Sequence, residues 1–395
     1  MGRVESADAG ESTSAVPAFV RDRATWLAYL MLGYFAYVES SLGPLMPSLR
    51  SEFGISYTVA SLHLSFFAAG SVLVGLVGER VARRLGRRAL LWGGAAGYTF
   101  GAVLLVVSPN VLGTIAAASV MGIAGGFLLL TIQANLSDLH GARRAIAITE
   151  SNVAASSCAV LAAIAVGGFE RFGIGWRGAI LLAIAGAAVL ILSFRGVNFP
   201  GDLPIAAGRH SQSRTLPRTF WVAAAVLFLG VAAEWCVGYW GADFLSRQGG
   251  LGTATAAAAM SAYFVAMAIG RFAGSRLARR YADRTLLIAT FVVAAAGFLL
   301  LWLVPSPPIR LLGLFITGLG IAGVYPFTVT VGMTVAPGAA DLATARLVFS
   351  GALAILLAPF VLGMIADGAG IAAAFGVTLP LLLIALVVAT RLHSS

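Results

Sequence analysis

Lysine is missing from this sequence: all 26 basic residues are arginine, in a chain of 395 residues with a formal net charge of +10. Charge of either sign is scarce. Only 11% of the residues are charged and 59% are hydrophobic, whereas a soluble domain carries about 25% charged residues. That deficit excludes an ordinary soluble domain and makes lipid the expected solvent. The two cysteines, Cys158 and Cys236, both fall in apolar runs. They exclude a disulfide framework or metal spacing and are expected as small buried hydrophobes. No Gly-x-x-x-x-Gly-Lys-Ser/Thr run is present, so ATP is not expected as a direct driver and no cofactor is implied. Residues 1–20 lack the basic start and apolar core of a signal peptide, so none is expected there. They are rich in Ser, Ala, Gly and acids, and they read as a short disordered tail.

What the chain has is a near-continuous series of apolar runs of about 20 residues, the length that crosses a bilayer. Spans are expected at 25–49, 58–79, 89–107, 112–136, 145–168 and 176–195, then at 220–246, 253–274, 285–304, 309–335, 346–366 and 371–392. The expected class is an all-α integral membrane protein with twelve helices in two pseudo-symmetric six-helix bundles. Residues 21–195 would form the first bundle and 220–395 the second. Between them, 196–219 reads as a central cytoplasmic loop carrying Arg209, His210, Arg214 and Arg218.

The arginines gather in short clusters between the apolar runs rather than on one stripe, which argues against nucleic acid and for loop charges that set orientation. With the N-terminus inside, 20 arginines fall on inner segments, among them Arg80, Arg83, Arg84, Arg87, Arg88, Arg143, Arg144, Arg276, Arg279, Arg280 and Arg284. Five fall on outer loops: Arg50, Arg171, Arg177, Arg247 and Arg310. The excess predicts a multi-pass cell-membrane protein with both termini cytoplasmic. Trp26, Trp92, Trp176, Trp221 and Trp302 lie near span ends, where interfacial anchors belong.

The second half repeats the first. The stretch from Gly78 to Leu91 and that from Gly274 to Leu287 lie 196 residues apart and share eight of fourteen positions. Gly122-Ile-Ala-Gly125 recurs as Gly320-Ile-Ala-Gly323, and Glu39-x-x-x-Gly43 recurs as Glu234-x-x-x-Gly238. Three matches at nearly one offset predict a duplication.

Twelve spans, a central inner loop and a basic loop after spans two and eight resemble the major facilitator superfamily over about residues 25–392. Leu42-Gly-Pro-Leu-Met-Pro47 running into Glu52-Phe-Gly-Ile-Ser56 resembles that family's ending to span one. Gly86-Arg87-Arg88 matches the tail of its loop signature Gly-x-Leu-Ala-Asp-Arg-x-Gly-Arg-Arg, and Arg84 matches the internal arginine. Two positions depart: Arg83 stands where the signature has aspartate, and Glu79 at its first glycine. Arg279 makes the same change in the second half. In the family that acid helps latch the halves on the inner side, partly through a basic residue near span eleven. Arg346 could be that residue here, and Glu79, one turn before Arg83, could replace the missing acid. The alternative is that both arginine clusters only face lipid headgroups. The fifth span also lacks the Gly-Pro pair of many drug/proton antiporters of the family.

Two acids lie deep in apolar spans. Glu39 and Glu234 each stand about fifteen residues into spans one and seven. A charge at mid-bilayer costs on the order of 2.5–3.5 kcal/mol on the lenient scale, and neither span has an arginine in its middle. Each acid is therefore neutral part of the time, faces a wet cavity or meets a cation, which suits a proton carrier. In the family, spans one, four, seven and ten line the central cavity, so the resemblance implies that the acids face each other across the pseudo-twofold axis. Glu39 is expected as coupling site and Glu234 as its partner or substrate anchor, with the roles open to exchange; a structural carboxyl is the alternative for either.

Tyr34 and Tyr37 near Glu39, and Trp235, Tyr239 and Trp240 near Glu234, are candidate substrate-binding rings for a cationic or aromatic ligand. Packing against lipid or a neighbouring helix is the equal alternative. Gln133, Asn135, Glu150 and Asn152 near inner span ends are gating candidates. His63 is read first as interfacial and second as a proton relay, and Asp243 as solvated near the outer surface. Pro326 and Pro359 interrupt helices and are possible hinges. With no cation seen at mid-membrane, an anionic substrate is disfavoured, although Arg50 or Arg271 could reach inward.

The resemblance and these residues together imply a monomeric proton-coupled secondary transporter that moves a small cationic or neutral metabolite or drug, with export favoured. Proton-coupled uptake of a nutrient is the second expectation. A transport-incompetent sensor stays open through the loop substitutions, and a membrane-embedded enzyme lacks an interfacial cluster of catalytic groups.

Overall fold

The structure is a computed structural model and describes residues 19–197, 215–336 and 339–392. Residues 1–18 of the expected N-terminal tail and the Arg209, His210 and Arg214 stretch of the central loop lie outside the described residues. Six helices come first: α1 (Arg23–Phe53), α2 (Tyr57–Leu85), α3 (Arg87–Val107), α4 (Val111–His140), α5 (Arg144–Arg171) and α6 (Trp176–Phe194). Then follow α7 (Arg218–Arg247), α8 (Thr253–Leu277), α9 (Asp283–Leu303), α10 (Pro307–Ile321), α11 (Val324–Thr334), α12 (Ala340–Gly376) and α13 (Thr378–Ala389).

Among the described residues these thirteen helices make twelve crossings. Ten stretches are long and apolar enough to span a membrane, one of them Pro307–Thr334, which is α10 and α11 taken together. The break between those two precedes Pro326, whose ring cannot continue the ladder of hydrogen bonds before it. A second break splits α12 at Gly370, where φ is +82°, a left-handed value that glycine adopts without a Cβ clash. The chain beyond Gly370, with α13, forms the last crossing. The remaining crossing is α1, 31 residues long and less apolar because Glu39, Ser40 and Ser41 sit at its middle.

Local capping sets where several helices start. Asp22 accepts from the Thr25 backbone N–H at 2.8 Å, Ser56 from Val59 at 3.3 Å and Asn110 from Gly113 at 2.9 Å, satisfying first-turn donors that have no partner in the helix. Between α2 and α3 there is a single residue, Gly86, at φ +80°. The glycine of the loop signature is therefore the hinge between two helices.

Packing within the two halves matches. A Cβ added to Gly122 would strike the Phe67 carbonyl of α2, and one added to Gly318 would meet the Tyr263 carbonyl of α8 at 2.7 Å. Both pairs are 55 residues apart in sequence. Likewise Gly101 abuts the Met121 backbone and Gly297 that of Thr317, each pair 20 residues apart. The structural offset in these helices is thus 196, the same as in the arginine loops. It pairs Gly122 with Gly318 and corrects the sequence match of Gly122 to Gly320, which lies two residues out of register. Gly320 packs instead on Ala294 of α9. In a helix pair, close approach needs a residue without a side chain at the crossing point, and an Ala/Gly-rich span offers false matches nearby.

The helix ends define two faces. Arg21 pairs with Glu150 at the start of α5, and Arg23 donates to the Ser193 carbonyl at the end of α6 at 3.0 Å. Arg284 at the start of α9 donates to the Thr390 carbonyl at 2.6 Å. Both described chain ends therefore lie on the side of the 2–3 and 8–9 loops, called the terminus end below. The opposite side is the far end.

Candidate functional site

Glu39 and Glu234 line one cavity of about 210 Å³ between the halves. On α1, Glu39 is joined by Ala36, Ser40 and Gly43; on α7, Glu234 is joined by Trp235, Gly238 and Tyr239. The remaining wall comes from Ala155, Ser156 and Ala159 of α5 and from Tyr263, Phe264, Met267 and Arg271 of α8. The expectation that spans four and ten contribute is corrected: among the described residues the cavity is framed by α1, α5, α7 and α8. The small residues on α5 explain this. They let α5 lie close to α8, as at Gly167, where an added Cβ would come within 2.7 Å of the Ala258 backbone nitrogen.

Arg271 is the second correction. Its Nη2 stands 4.0 Å from Glu234 Oε1, so the cavity does contain a cation. The argument from a missing cavity cation therefore falls. An arginine six residues inside the end of an apolar helix is itself an intramembrane charge, and such charges face interiors rather than lipid; that signal was available in the sequence. Glu39 differs: among the described residues its carboxylate has no hydrogen-bond or ion-pair partner.

The aromatic candidates divide. Trp235 and Tyr239 line the cavity, and the Tyr239 hydroxyl also donates to the Ala60 carbonyl of α2 at 2.6 Å. Tyr34 and Tyr37 are not on the cavity wall. Tyr34 shares a hydrogen bond with Thr99 of α3 at 2.9 Å and meets Tyr98 edge-on. Tyr37 donates to the Ala179 carbonyl of α6 at 3.1 Å. Helical geometry explains the split, since residues two and five positions from Glu39 lie on other faces of α1. Trp240 turns away as well and donates to the Pro359 carbonyl at 3.0 Å, a use for a helix position beside a proline.

His63 is fully buried rather than interfacial. Its Nδ1 donates to the Ala60 carbonyl at 3.0 Å and its Nε2 meets Thr114 Oγ1 at 2.9 Å, joining α2 to α4. Asp243 is also buried, not solvated: it is 0% exposed and holds Arg50 at 2.5 Å and Arg247 at 3.0 Å. Trp176, expected at an interface, is 2% exposed and donates to Glu52 at 2.9 Å.

The gating candidates sit apart from the cavity wall. Glu79 pairs with Arg83 on its own helix, both side chains more than half exposed. Arg84 is exposed, and Arg87 pairs with Asp138 of α4 inside the first half. Glu150 accepts from Arg21 at 2.5 Å and from the Tyr29 hydroxyl at 3.1 Å, so it ties α5 to the start of α1. Gln133 is exposed, Asn135 buried, and Asn152 donates to the Ile148 carbonyl of its own helix at 2.8 Å. Arg346 is exposed on α12, without an ion-pair partner among the described residues.

Contacts that join the halves gather at the far end. The buried Arg50–Asp243 pair links α1 to α7, with the Arg50 guanidinium 3.3 Å above the Tyr57 ring. Asp367 of α12 accepts from the first two backbone N–H groups of α2, Tyr57 at 2.7 Å and Thr58 at 2.9 Å. Gly43 of α1 rests on the Gly238 carbonyl of α7, leaving no room for a side chain. One turn beyond the two acids, the repeated Glu-x-x-x-Gly pattern thus forms the crossing of the two halves.

Comparison with known proteins agrees with this architecture. The Major Facilitator Superfamily model matches residues 25–340. An uncharacterised MFS-type transporter of Yersinia pestis is 24% identical over 384 residues, covering 93% of this chain and 94% of its own. Among solved structures, a bacterial homolog of the human lysosomal transporter Spinster, inward-facing and occupied, superposes with a TM-score of 0.78 at 16% identity, covering 95% of this chain and 98% of that one. The nucleoside transporter NupG gives 0.76 at 15% identity, covering 94% and 100%. Twelve crossings in two matched halves, a cavity between them and a family match over most of the length lead to one conclusion: this chain belongs to the Major Facilitator Superfamily, with the fold of its secondary transporters.

Proposed function

We propose that the chain is a proton-coupled antiporter that exports a small organic solute across the cytoplasmic membrane, with Glu39 and Glu234 as the carboxyls that exchange protons for solute. The observation that supports this reading is the meeting of the two acids on one cavity midway along α1 and α7. A proton and a positively charged solute group compete for the same carboxylate, so loading one displaces the other, which is the logic of exchange. Trp235 and Tyr239 supply the ring surface beside them. The arginine excess at the terminus end supports the reading that this end faces the cytoplasm. The far-end contacts then make this the conformer closed outside, and rocking of the halves about the Gly43–Gly238 crossing would expose the cavity to the other side.

The test uses inverted vesicles with an imposed pH gradient. Solute accumulation is expected to require an acidic interior, and both Glu39→Gln and Glu234→Gln are expected to abolish that dependence. Uptake driven by the opposite gradient favours symport. Gradient-dependent transport that survives both substitutions sinks the site assignment.

A further inference from the structure

The cavity carries both signs of charge, and they are not used up on each other. Arg271 approaches Glu234 only to 4.0 Å, beyond hydrogen-bond distance, and 46% of its side chain is exposed. A guanidinium has five N–H donors in a fork that matches a carboxylate, so Arg271 still has donors for a ligand. Glu39 has no ion-pair partner among the described residues, and it faces the same space from α1. Trp235 of α7 and Phe264 of α8 line the same space as an apolar wall.

We infer that the solute is a zwitterion of amino-acid size with an apolar or aromatic body: its carboxylate on Arg271, its ammonium on Glu39, and its side chain against Trp235 and Phe264. This rests on the cavity being the transport site and narrows what the site takes. A solute with only a positive charge would leave the free Arg271 donors unused, and one with only a negative charge would face two carboxylates and leave Glu39 unpaired. A neutral solute would leave Glu39 without a partner on the cavity wall. A zwitterion gives both Glu39 and Arg271 an opposite charge, while Glu234 keeps Arg271 as its neighbour at 4.0 Å. The volume of about 210 Å³ falls below the range of roughly 300–1,000 Å³ of drug-sized pockets, which fits a solute of amino-acid size. Arg271 lies six residues from the terminus end of α8 and Glu39 at the middle of α1. The carboxylate is therefore bound at the mouth and the ammonium deeper.

The test measures binding to the purified full chain in detergent, by thermal shift and equilibrium titration. The probes are L-phenylalanine, L-tryptophan and L-leucine as zwitterions, phenethylamine as the cation and hydrocinnamate as the anion. At least one zwitterion is expected to bind ten-fold or more tighter than phenethylamine and hydrocinnamate. Arg271→Gln is expected to weaken zwitterion binding at least ten-fold and to leave phenethylamine unchanged or tighter. Arg271→Lys, which keeps the charge but not the fork, is expected to weaken it less, and it serves if the glutamine variant does not fold. Phenethylamine binding as tightly as every zwitterion, no shift with any zwitterion, or indifference to both Arg271 variants overturns the inference. Proton dependence is read separately by flux in vesicles. A zwitterion that binds this way but moves regardless of the pH gradient overturns the antiport reading alone. Proton-driven flux of an amine with no preference for zwitterions overturns this inference alone.

Discussion

The two ends of the molecule hold their charges in opposite ways. At the far end, Arg50 and Asp243 are buried together between α1 and α7 and join the halves. At the terminus end, Glu79 and Arg83 pair in the open on a single helix, and Arg87–Asp138 and Arg21–Glu150 stay within the first half. A buried pair is a poor source of stability because desolvation offsets most of its attraction, but losing one partner is costly. Such a pair would serve as a latch between the halves in this conformer. Exposed pairs contribute little either way and suit segments that must part and meet without resistance.

Breaking the far end should have the largest effect. Asp243→Asn strands Arg50, which is 7% exposed, and should destabilise this conformer by about 3–5 kcal/mol. A lower melting temperature and faster labelling of a cysteine placed at Ala60, in a background without Cys158 and Cys236, would show it. Replacing both partners by apolar residues (Arg50→Met with Asp243→Leu) should recover most of the loss. If the double variant is as unstable as the single one, the pair is not acting as a latch.

The crossing glycines give the next largest difference. Gly43→Ala drives a methyl into the Gly238 carbonyl and should cost about 1–3 kcal/mol through overpacking. Gly238→Ala meets nothing nearer than the Tyr263 ring at 3.8 Å, so its effect on melting should be small. Equal melting shifts for these sequence-matched glycines would contradict the asymmetric crossing.

Asp367→Ala removes a cap lent to α2 by the opposite half. It should cost about 1 kcal/mol and raise labelling at Ala60 modestly. Smallest of all is Glu79→Gln at the terminus end, expected within about 0.5 kcal/mol of the parent in melting. A large change there would mean that Glu79 bridges the halves in this conformer after all.

Much of the fold was legible because a bilayer makes helix length and loop charge conspicuous. Twelve crossings and the depth of Glu39 and Glu234 follow from runs of apolar residues broken at regular intervals, and the meeting of the two acids on one cavity was implied by the family resemblance. The Gly122–Gly320 match failed because glycine is common enough in these spans to repeat without structural equivalence, and only the packing against Phe67 and Tyr263 reveals the register. Asp243 and Arg50 were read as solvated and as an outer-loop charge because distance from a span end says nothing about what covers it. Tyr34 and Tyr37 were grouped with Glu39 by proximity in sequence, although a helix sends such neighbours to different neighbours in space.

The sequence alone determined that this chain lives in a membrane, how often it crosses and where its two intramembrane acids stand, since each depends on the local cost of exposing polar groups to lipid. Tertiary structure decided which helices wall the cavity, that Arg271 joins the acids there, and which end of the molecule is latched. Those depend on how helices far apart in sequence meet, and a hydrophobic surface in lipid leaves that choice to close packing of small residues and to a few buried charges.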